Sequence, residues 1–319
     1  MRIAQRPTGK LARWIHQERF ILAHPMNLGK PIRATMRFLA WATWTRIVRR
    51  PLSIRFWDDL CLLAHADDRI AKLAVYTKLP DYHDMLFTLR YLLPTDTFVD
   101  VGANVGIYSL LAAGAVPQGQ VLAFEPNPIT AERMRTNLGL NRLTNVMLHT
   151  SAVGSKAGTA TLTAKLGPGD HIALGQLSGG DTISVPMTTL DAAVERTAPV
   201  SLVKIDVEGF EVEVLRGATD LLQRDDAPAW IMEVNGLSQR YGAGDAAIEE
   251  VFRRHGYAMY LYDAGANRLL AAPSPGFRAA YDDRSRWAAE VGINVLFIRD
   301  VGRAVARLAG AAIETRRGH

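Results

Sequence analysis

Residues Thr97-Phe-Val-Asp-Val-Gly-Ala-Asn-Val-Gly-Ile-Tyr-Ser109 decide how the rest of the chain is read. Phe98–Val101 is a short apolar run of strand type broken by one acid, Asp100. Gly102 and Gly106 bracket a tight turn, and from Ile107 the pattern becomes helical, with Leu110 and Leu111 at i+3 and i+4. Strand, glycine turn and helix in that order open a nucleotide-binding βαβ unit. Gly102 can take a positive φ and lets a ligand approach the backbone, while the helix starting near Val105 points free N–H groups at it.

The spacing is Asp-x-Gly-x-x-x-Gly, not Gly-x-Gly-x-x-Gly. The middle position is Asn104, and Asp100 stands two residues before the first glycine. A dinucleotide fold uses its middle glycine to hold a pyrophosphate. A carboxylate at that place argues against a polyanion and suits a ligand with a cationic amine, such as the methionine part of S-adenosylmethionine.

Working outward, Val121–Glu125 predicts a second strand ending in an acid. Asn127-Pro128 predicts a helix start, since Asn caps well and Pro favours the first helical position. An acid ending the second strand is where such folds place a ribose-binding carboxylate. Asn145–His149 predicts a third strand with Ser151–Gly154 as its exit. Val200–Asp206 predicts a fourth, followed by Val207–Glu211 and one helix with Phe210, Val214, Ala218 and Leu222 on a face. Pro228–Val234 predicts a fifth strand, and Tyr257–Tyr262 and Ile293–Ile298 close the sheet, one of them antiparallel. Asp100, Glu125, Asp206 and Glu233 then gather near the carboxyl edge, where doubly wound sheets bind ligands. Buried acids are costly unless paired or liganded, so four of them mark a site.

Between residues 158 and 188 the alternation breaks. Thr159–Thr163 and Ile183–Met187 predict two short strands around a glycine-rich loop, Leu166 to Asp181, which reads as a lid. His171 is its one residue with proton chemistry near neutral pH; a solvent-exposed loop histidine is the alternative.

The 319 residues are 48% hydrophobic and 22% charged, a globular composition. A single cysteine, Cys61, excludes an internal disulfide and a cysteine-rich zinc site, and fits a reducing cytoplasm. The net charge of +5 is uneven. Residues 1–60 hold twelve Lys/Arg against three Asp/Glu, a net +9, so the remainder carries −4. Trp14, Trp41, Trp44 and Trp57 are interleaved with these arginines. The run Ala34–Val48 contains Arg37 and Arg46 and is too short and too charged to span a bilayer. The start Met1–Pro7 lacks the apolar core of a signal peptide. The extension is therefore either a set of helices packed on the main domain or a basic surface for anionic lipid or a charged partner. No nucleic-acid module is visible. Residues 58–93 read as helix, from Leu60, Leu63, Ala64, Ile70, Leu73 and Ala74 and then His83 to Leu93.

Phe98–Gly106, Phe124-Glu-Pro-Asn-Pro128, Thr189-Leu-Asp191 and Lys204-Ile-Asp-Val-Glu-Gly-Phe-Glu211 together resemble the FkbM family of S-adenosylmethionine-dependent methyltransferases. The likeness covers about residues 97–236, with the asparagine-rich helix end Asn137–Asn141 and the exit Ala152–Gly154. It implies a Rossmann-like class I methyltransferase fold: α/β, a doubly wound, mostly parallel seven-stranded sheet, here with an N-terminal helical extension. It implies O-methylation of a sugar or natural-product hydroxyl. Carried residue by residue, Asp100 with Gly102, Ala103, Asn104 and Gly106 would hold the methionine end. Glu125, with Pro126 and Asn127, would hold the ribose, and Ser151 and Ala152 would border the adenine. Asp206 and Glu208 would face the transferred methyl. An alcohol needs a base to take its proton, and Asp206, Glu208 and His171 are the candidates. Asp206 and Glu208 could instead bind Mg²⁺, but nothing requires a metal.

The expected organisation is an extension over 1–80, a methyltransferase domain over 81–300 and a tail over 301–319. The expected location is cytoplasmic, with peripheral membrane contact through residues 1–60 as the second reading of the extension. Two other functions stay open: an inactive module that keeps the fold, and a nicotinamide-dependent oxidoreductase, against which the glycine spacing speaks.

Overall fold

The structure is a computed structural model that describes residues 9–163, 172, 182–194, 199–234, 236–242, 244–287, 292–309 and 312–314. The chain enters through helices Lys10–Ala23 and Pro31–Ile47 and a hairpin of strands β1 (Leu52–Trp57) and β2 (Leu60–Ala64). Helices Arg69–Thr77 and Tyr82–Tyr91 lead to β3 (Thr97–Val101). Helix Ile107–Ala115 connects β3 to β4 (Gln120–Phe124), and helix Pro128–Leu140 connects β4 to β5 (Val146–His149). Next come β6 (Ala152–Val153), β7 (Gly158–Thr163) and β8 (Thr182–Thr188), which form a small sheet of their own. The main sheet resumes with β9 (Leu202–Ile205), β10 (Ala229–Glu233), β11 (Ala258–Asp263), β12 (Arg268–Ala271), β13 (Asn294–Ile298) and β14 (Ala312–Glu314).

The main sheet has the order β14-β12-β11-β13-β10-β9-β3-β4-β5. Strands β5, β4, β3, β9 and β10 run parallel, and β13 lies antiparallel between β10 and β11. The winding goes from β3 outward through β4 and β5, then returns to β9 on the other side of β3. That reversal opens the crevice in which open α/β sheets bind their ligands. The seven expected strands are present, and β12 and β14 widen the edge so that the sheet has nine described strands rather than seven.

Strands β3, β9, β10 and β13 are buried at every residue, as parallel sheets covered on both faces require. Alternate residues feed two cores. Val99, Val101, Leu122, Phe124, Val203 and Ile205 face one, with Trp230 and Phe297. Phe98, Val121, Ala123, Leu202 and Ile231 face the other, and there the extension adds Phe20, Trp41, Phe56 and Leu62. The extension thus shares this core, with β2 lying against helices Ile107–Ala115 and Pro128–Leu140, as the packed one of its two readings has it.

Two local expectations are corrected. Residues 58–93 do not form continuous helix, because Leu60–Ala64 is a strand paired with β1. Its other edge is met by side chains: Asn141 accepts from Cys61 N at 2.7 Å and donates to Cys61 O at 2.7 Å, and Asn137 accepts from Leu63 N at 2.8 Å. These asparagine amides satisfy edge groups of β2 that a third strand would otherwise pair. The single helix expected after Asp206 is two, Glu211–Arg216 and Thr219–Gln223, broken at Gly217. A Cβ there would lie 2.1 Å from Gly154 O, so the chain needs glycine at this crossing.

Candidate active site

At the end of β3 the backbone turns at Gly102 with φ 80°. A Cβ at Gly102 would stand 1.9 Å from the carbonyl oxygen of Asp206, so the turn after β3 and the chain leaving β9 touch backbone to backbone. Gly102 N and Ala103 N both donate to Phe124 O, at 3.0 and 2.9 Å. Asn104 takes φ 53°, a conformation asparagine tolerates better than most residues, and its Oδ1 accepts from Val105 N at 2.7 Å. Gly106 lies behind the turn as cap of helix Ile107–Ala115, and a Cβ there would meet Met134 Cγ at 2.9 Å. It shapes the turn without facing the cleft.

Glu125 ties this turn to the next. One carboxylate oxygen accepts from Asn104 N and the other from Asn127 N, each at 2.9 Å. Asn127 in turn caps helix Pro128–Leu140 by accepting from Ile129 N at 2.8 Å. Its Oδ1 therefore serves the helix, while the residue also lines the cleft. Asp100, Gly102, Ala103, Asn104, Glu125, Pro126, Asn127, Ser151, Ala152, Asp206 and Glu208 all line this one cleft, and Glu233 joins them. His171 lies outside the described residues.

At the end of β9 the lysine of the Lys204-Ile-Asp206 stretch is decisive. Lys204 is buried, with Nζ 3.0 Å from Asp206 Oδ2 and 4.7 Å from the centre of the Tyr108 ring. Burial alone would raise the Asp206 pKa, but Lys204, a hydrogen bond from Glu233 and the charge of Arg69 outweigh it and hold it below the usual carboxylate range. Glu233 goes the other way: burial, and then the charges of Asp206 and Glu208, raise it well above the usual range. The two shifts run in opposite directions, so the surroundings favour the negative charge on Asp206 and the proton on Glu233. Asp206 keeps 35% of its side chain exposed to the cleft. Asp100 is fully buried. Its Oδ2 accepts from Ser109 Oγ at 2.6 Å, and its Oδ1 has no hydrogen-bond partner among the described residues.

Several contributors were not legible in the sequence. Asp81 accepts from Tyr108 OH at 3.1 Å, and burial, with Asp84 beside it, pushes its pKa up to about 7. Glu211 accepts from Gly209 N at 2.9 Å and from Val207 N at 3.3 Å, bracing the loop that carries Glu208, whose φ is 54°. The extension also reaches the cleft through Asp68, Arg69 and Ile70, with Asp67 paired to Arg133 at 2.8 Å. The sequence signals were faint. A lysine inside an apolar strand calls for a buried partner, and Asp68 reads as an N-cap only once helix Arg69–Thr77 is known.

The strand order, the glycine turn after the first strand of the winding and the acid ending the second define a Rossmann-like class I methyltransferase fold. Residues 100–259 match the family described as "Methyltransferase FkbM domain". The chain belongs to the FkbM methyltransferase family, and S-adenosylmethionine is its cofactor. It is similar to methyltransferase sdnD of Sordaria araneosa, 31% identical over 162 residues, covering 40% of this chain and 62% of that one. It is similar to the hexuronic acid methyltransferase AglP of Haloferax volcanii, 29% identical over 130 residues, covering 40% and 52%. It is also similar to the 31-O-demethyl-FK506 methyltransferase FkbM of Streptomyces tacrolimicus, 32% identical over 161 residues, covering 40% and 62%. The matched region thus spans between half and two thirds of the length of these relatives.

Proposed function

We propose that the protein is an S-adenosylmethionine-dependent O-methyltransferase acting on a hydroxyl of a sugar or natural product, with Asp206 as the base. The observation that carries this is the placing of Lys204 Nζ 3.0 Å from Asp206 Oδ2, with Asp206 and Glu233 together in the cleft at the carboxyl ends of β9 and β10, which drives the acidities of the two carboxyls apart. The name of the Streptomyces relative, a 31-O-demethyl-FK506 methyltransferase, supports methylation at oxygen, and that of AglP supports a sugar-derived acceptor.

The residues present fit the cofactor. Asp100 Oδ1 is a buried acceptor with no hydrogen-bond donor among the described residues, suited to a cationic amine. Gly102 lets the turn after β3 meet the chain leaving β9 backbone to backbone, which places both at the wall of one cleft. Glu125 is held in the cleft by the backbone N–H groups of Asn104 and Asn127, and a carboxylate is an acceptor suited to a ribose hydroxyl. Asp100 and the turn Gly102–Asn104 would hold the methionine end, Glu125 the ribose, and Ser151 and Ala152 the adenine.

When bound, S-adenosylmethionine supplies a methyl group on a sulfonium, open to in-line attack by oxygen. The chain's own groups manage position and proton. Asp206 Oδ accepts the hydroxyl proton as the oxygen attacks. A weakly basic carboxylate suffices, because the proton becomes acidic only as the oxygen gives up its electron pair. Lys204 fixes Asp206 and prevents it from being protonated by its surroundings. Glu233, already protonated, orients Asp206 by donating to it. Asp68, Arg69 and Ile70 add a wall to the same cleft.

The test uses labelled S-adenosylmethionine and a panel of uronic acids, glycosides and macrolide alcohols. Asp206→Asn should bind S-adenosylhomocysteine as the parent does and lose transfer by about a hundredfold or more. Parent-like transfer in Asp206→Asn together with loss in Glu208→Gln would move the base to Glu208.

A further inference from the structure

Helix Pro31–Ile47 buries one face and leaves the opposite face apolar as well. Ala34, Phe38 and Trp41 point into the core. Ile32, Met36, Leu39 and Ile47 are exposed by 77, 64, 55 and 73%. On a 3.6-residue helix these four fall within an arc of about 100°, opposite the buried stripe. A surface helix normally turns charge outward. Here the outer arc carries no charge, and Arg33 and Arg46 flank it on its two sides. Leu28 and Val48 extend the exposed apolar surface at the two ends of the helix. Among the described residues the other large exposed apolar side chains are the neighbours Trp14 and Ile15 on helix Lys10–Ala23 and, far apart in the sequence, Leu93, Ile129, Leu140 and Met147. Clustered exposure of this kind marks a contact surface.

The charge around it is one-sided. From Arg19 through Trp57 the sequence has eight Lys/Arg, Arg19 included, and no Asp or Glu. Lys30, Arg33, Arg46, Arg49 and Arg50 are exposed on or beside the helix. No helix among the described residues is long and apolar enough to cross a membrane. A helix lying flat, with apolar residues downward and arginines at its flanks, has the pattern of an interfacial element.

We infer that the outer face of helix Pro31–Ile47 docks the protein on an anionic lipid surface, with Ile32, Met36, Leu39 and Ile47 entering the headgroup region and the flanking arginines meeting phosphates. The inner face stays on the core, so docking requires no unfolding. The inference does not depend on the methyl acceptor or on the catalytic reading.

The experiment is co-sedimentation of the full chain with vesicles of phosphatidylcholine alone or mixed with phosphatidylglycerol. Binding should be about tenfold or more stronger on the mixed vesicles, because each basic residue near an anionic surface adds to the attraction. It should fade as salt shortens the screening length from about 10 Å at 0.1 M to about 3 Å at 1 M. Ile32→Ser combined with Ile47→Ser, and separately Arg33→Gln combined with Arg50→Gln, should each lower binding severalfold. All four side chains are exposed, so both variants should keep the parent Tm and parent affinity for S-adenosylhomocysteine. Equal partition to both vesicle types, no partition at all, or stripe variants that bind as the parent does would each overturn the inference. So would a concentration-dependent dimer that the Ile32→Ser, Ile47→Ser variant abolishes, since the stripe would then be covered by a second copy.

Discussion

Lys204 Nζ stands 3.0 Å from Asp206 Oδ2, two residues along the same strand end, while the rest of the lysine is buried against Tyr108. Lys204 is the strongest of the influences that hold Asp206 ionised against its burial. Lys204→Met keeps the apolar stem and removes the charge. The Asp206 pKa then rises, so the acid limb of the pH–rate profile should shift to higher pH. Transfer at neutral pH should fall by about tenfold or more. A profile with its acid limb in place would disconnect Lys204 from the base.

Gly102→Ala should cost more than an ordinary surface change. The φ of 80° is strained for alanine by about 1–3 kcal/mol. The added Cβ also meets the Asp206 carbonyl at 1.9 Å, which forces β3 and β9 apart at the cleft. Denaturant titration should show lower stability, and binding of S-adenosylhomocysteine should weaken in parallel. Parent-like stability would mean that the two turns are not packed as described.

Glu211 gives a pH signature. It is almost fully buried, and burial pushes its pKa up to about 7, against a model-peptide value of about 4.3. The folded state therefore holds a proton there that the unfolded state releases earlier. The stabilisation by that proton is complete below the unfolded pKa and is lost as pH rises through about 7. Glu211→Gln mimics the protonated acid at every pH. The parent's Tm relative to this variant should fall between pH 5 and pH 8, a window set by the folded and unfolded pKa values. A difference that stays flat or grows with pH would contradict a raised pKa.

Asn137 joins three parts of the chain. Its Oδ1 accepts from Leu63 N at 2.8 Å, and its Nδ2 donates to Val105 O at 2.9 Å, next to the glycine turn. Asn137→Ala leaves a backbone donor of β2 without its partner and loosens the turn. The expected loss is about 1–3 kcal/mol by chemical denaturation. Affinity for S-adenosylhomocysteine should drop with it, because the turn and the hairpin share this side chain. Loss of stability with full affinity would show that the extension braces the sheet but not the turn.

The readable parts of the fold were those whose residues carry their own geometry. Gly102 and Gly106 announced the turn, Asn127-Pro128 announced a helix start, and Glu125, Asp206 and Glu233 ended apolar runs. Leu60–Ala64 misled because a five-residue apolar run has no period long enough to separate strand from helix. The break at Gly217 comes from contact with Gly154, a partner more than sixty residues earlier. Asp81, Lys204 and Arg69 converge only through the winding of the sheet; burial pushes the Asp81 pKa up, while Asp206 and Asp100 hold that of Lys204 up against its burial. The extension's two faces blurred each other: apolar residues inside and outside the same helix leave little periodicity.

The central claim is that Glu125 holds the cofactor while tying the two turns together, and calorimetric titration with S-adenosylhomocysteine tests it most directly. Glu125→Gln retains one carbonyl oxygen but presents an NH₂ to one of the two backbone donors at Asn104 and Asn127. The parent should bind one molecule per chain, and the variant should bind about ten- to a hundredfold more weakly, which corresponds to about 1–3 kcal/mol for hydrogen bonds to a charged acceptor. A parent that gives no binding heat, or a correctly folded variant that titrates like the parent, would contradict the account.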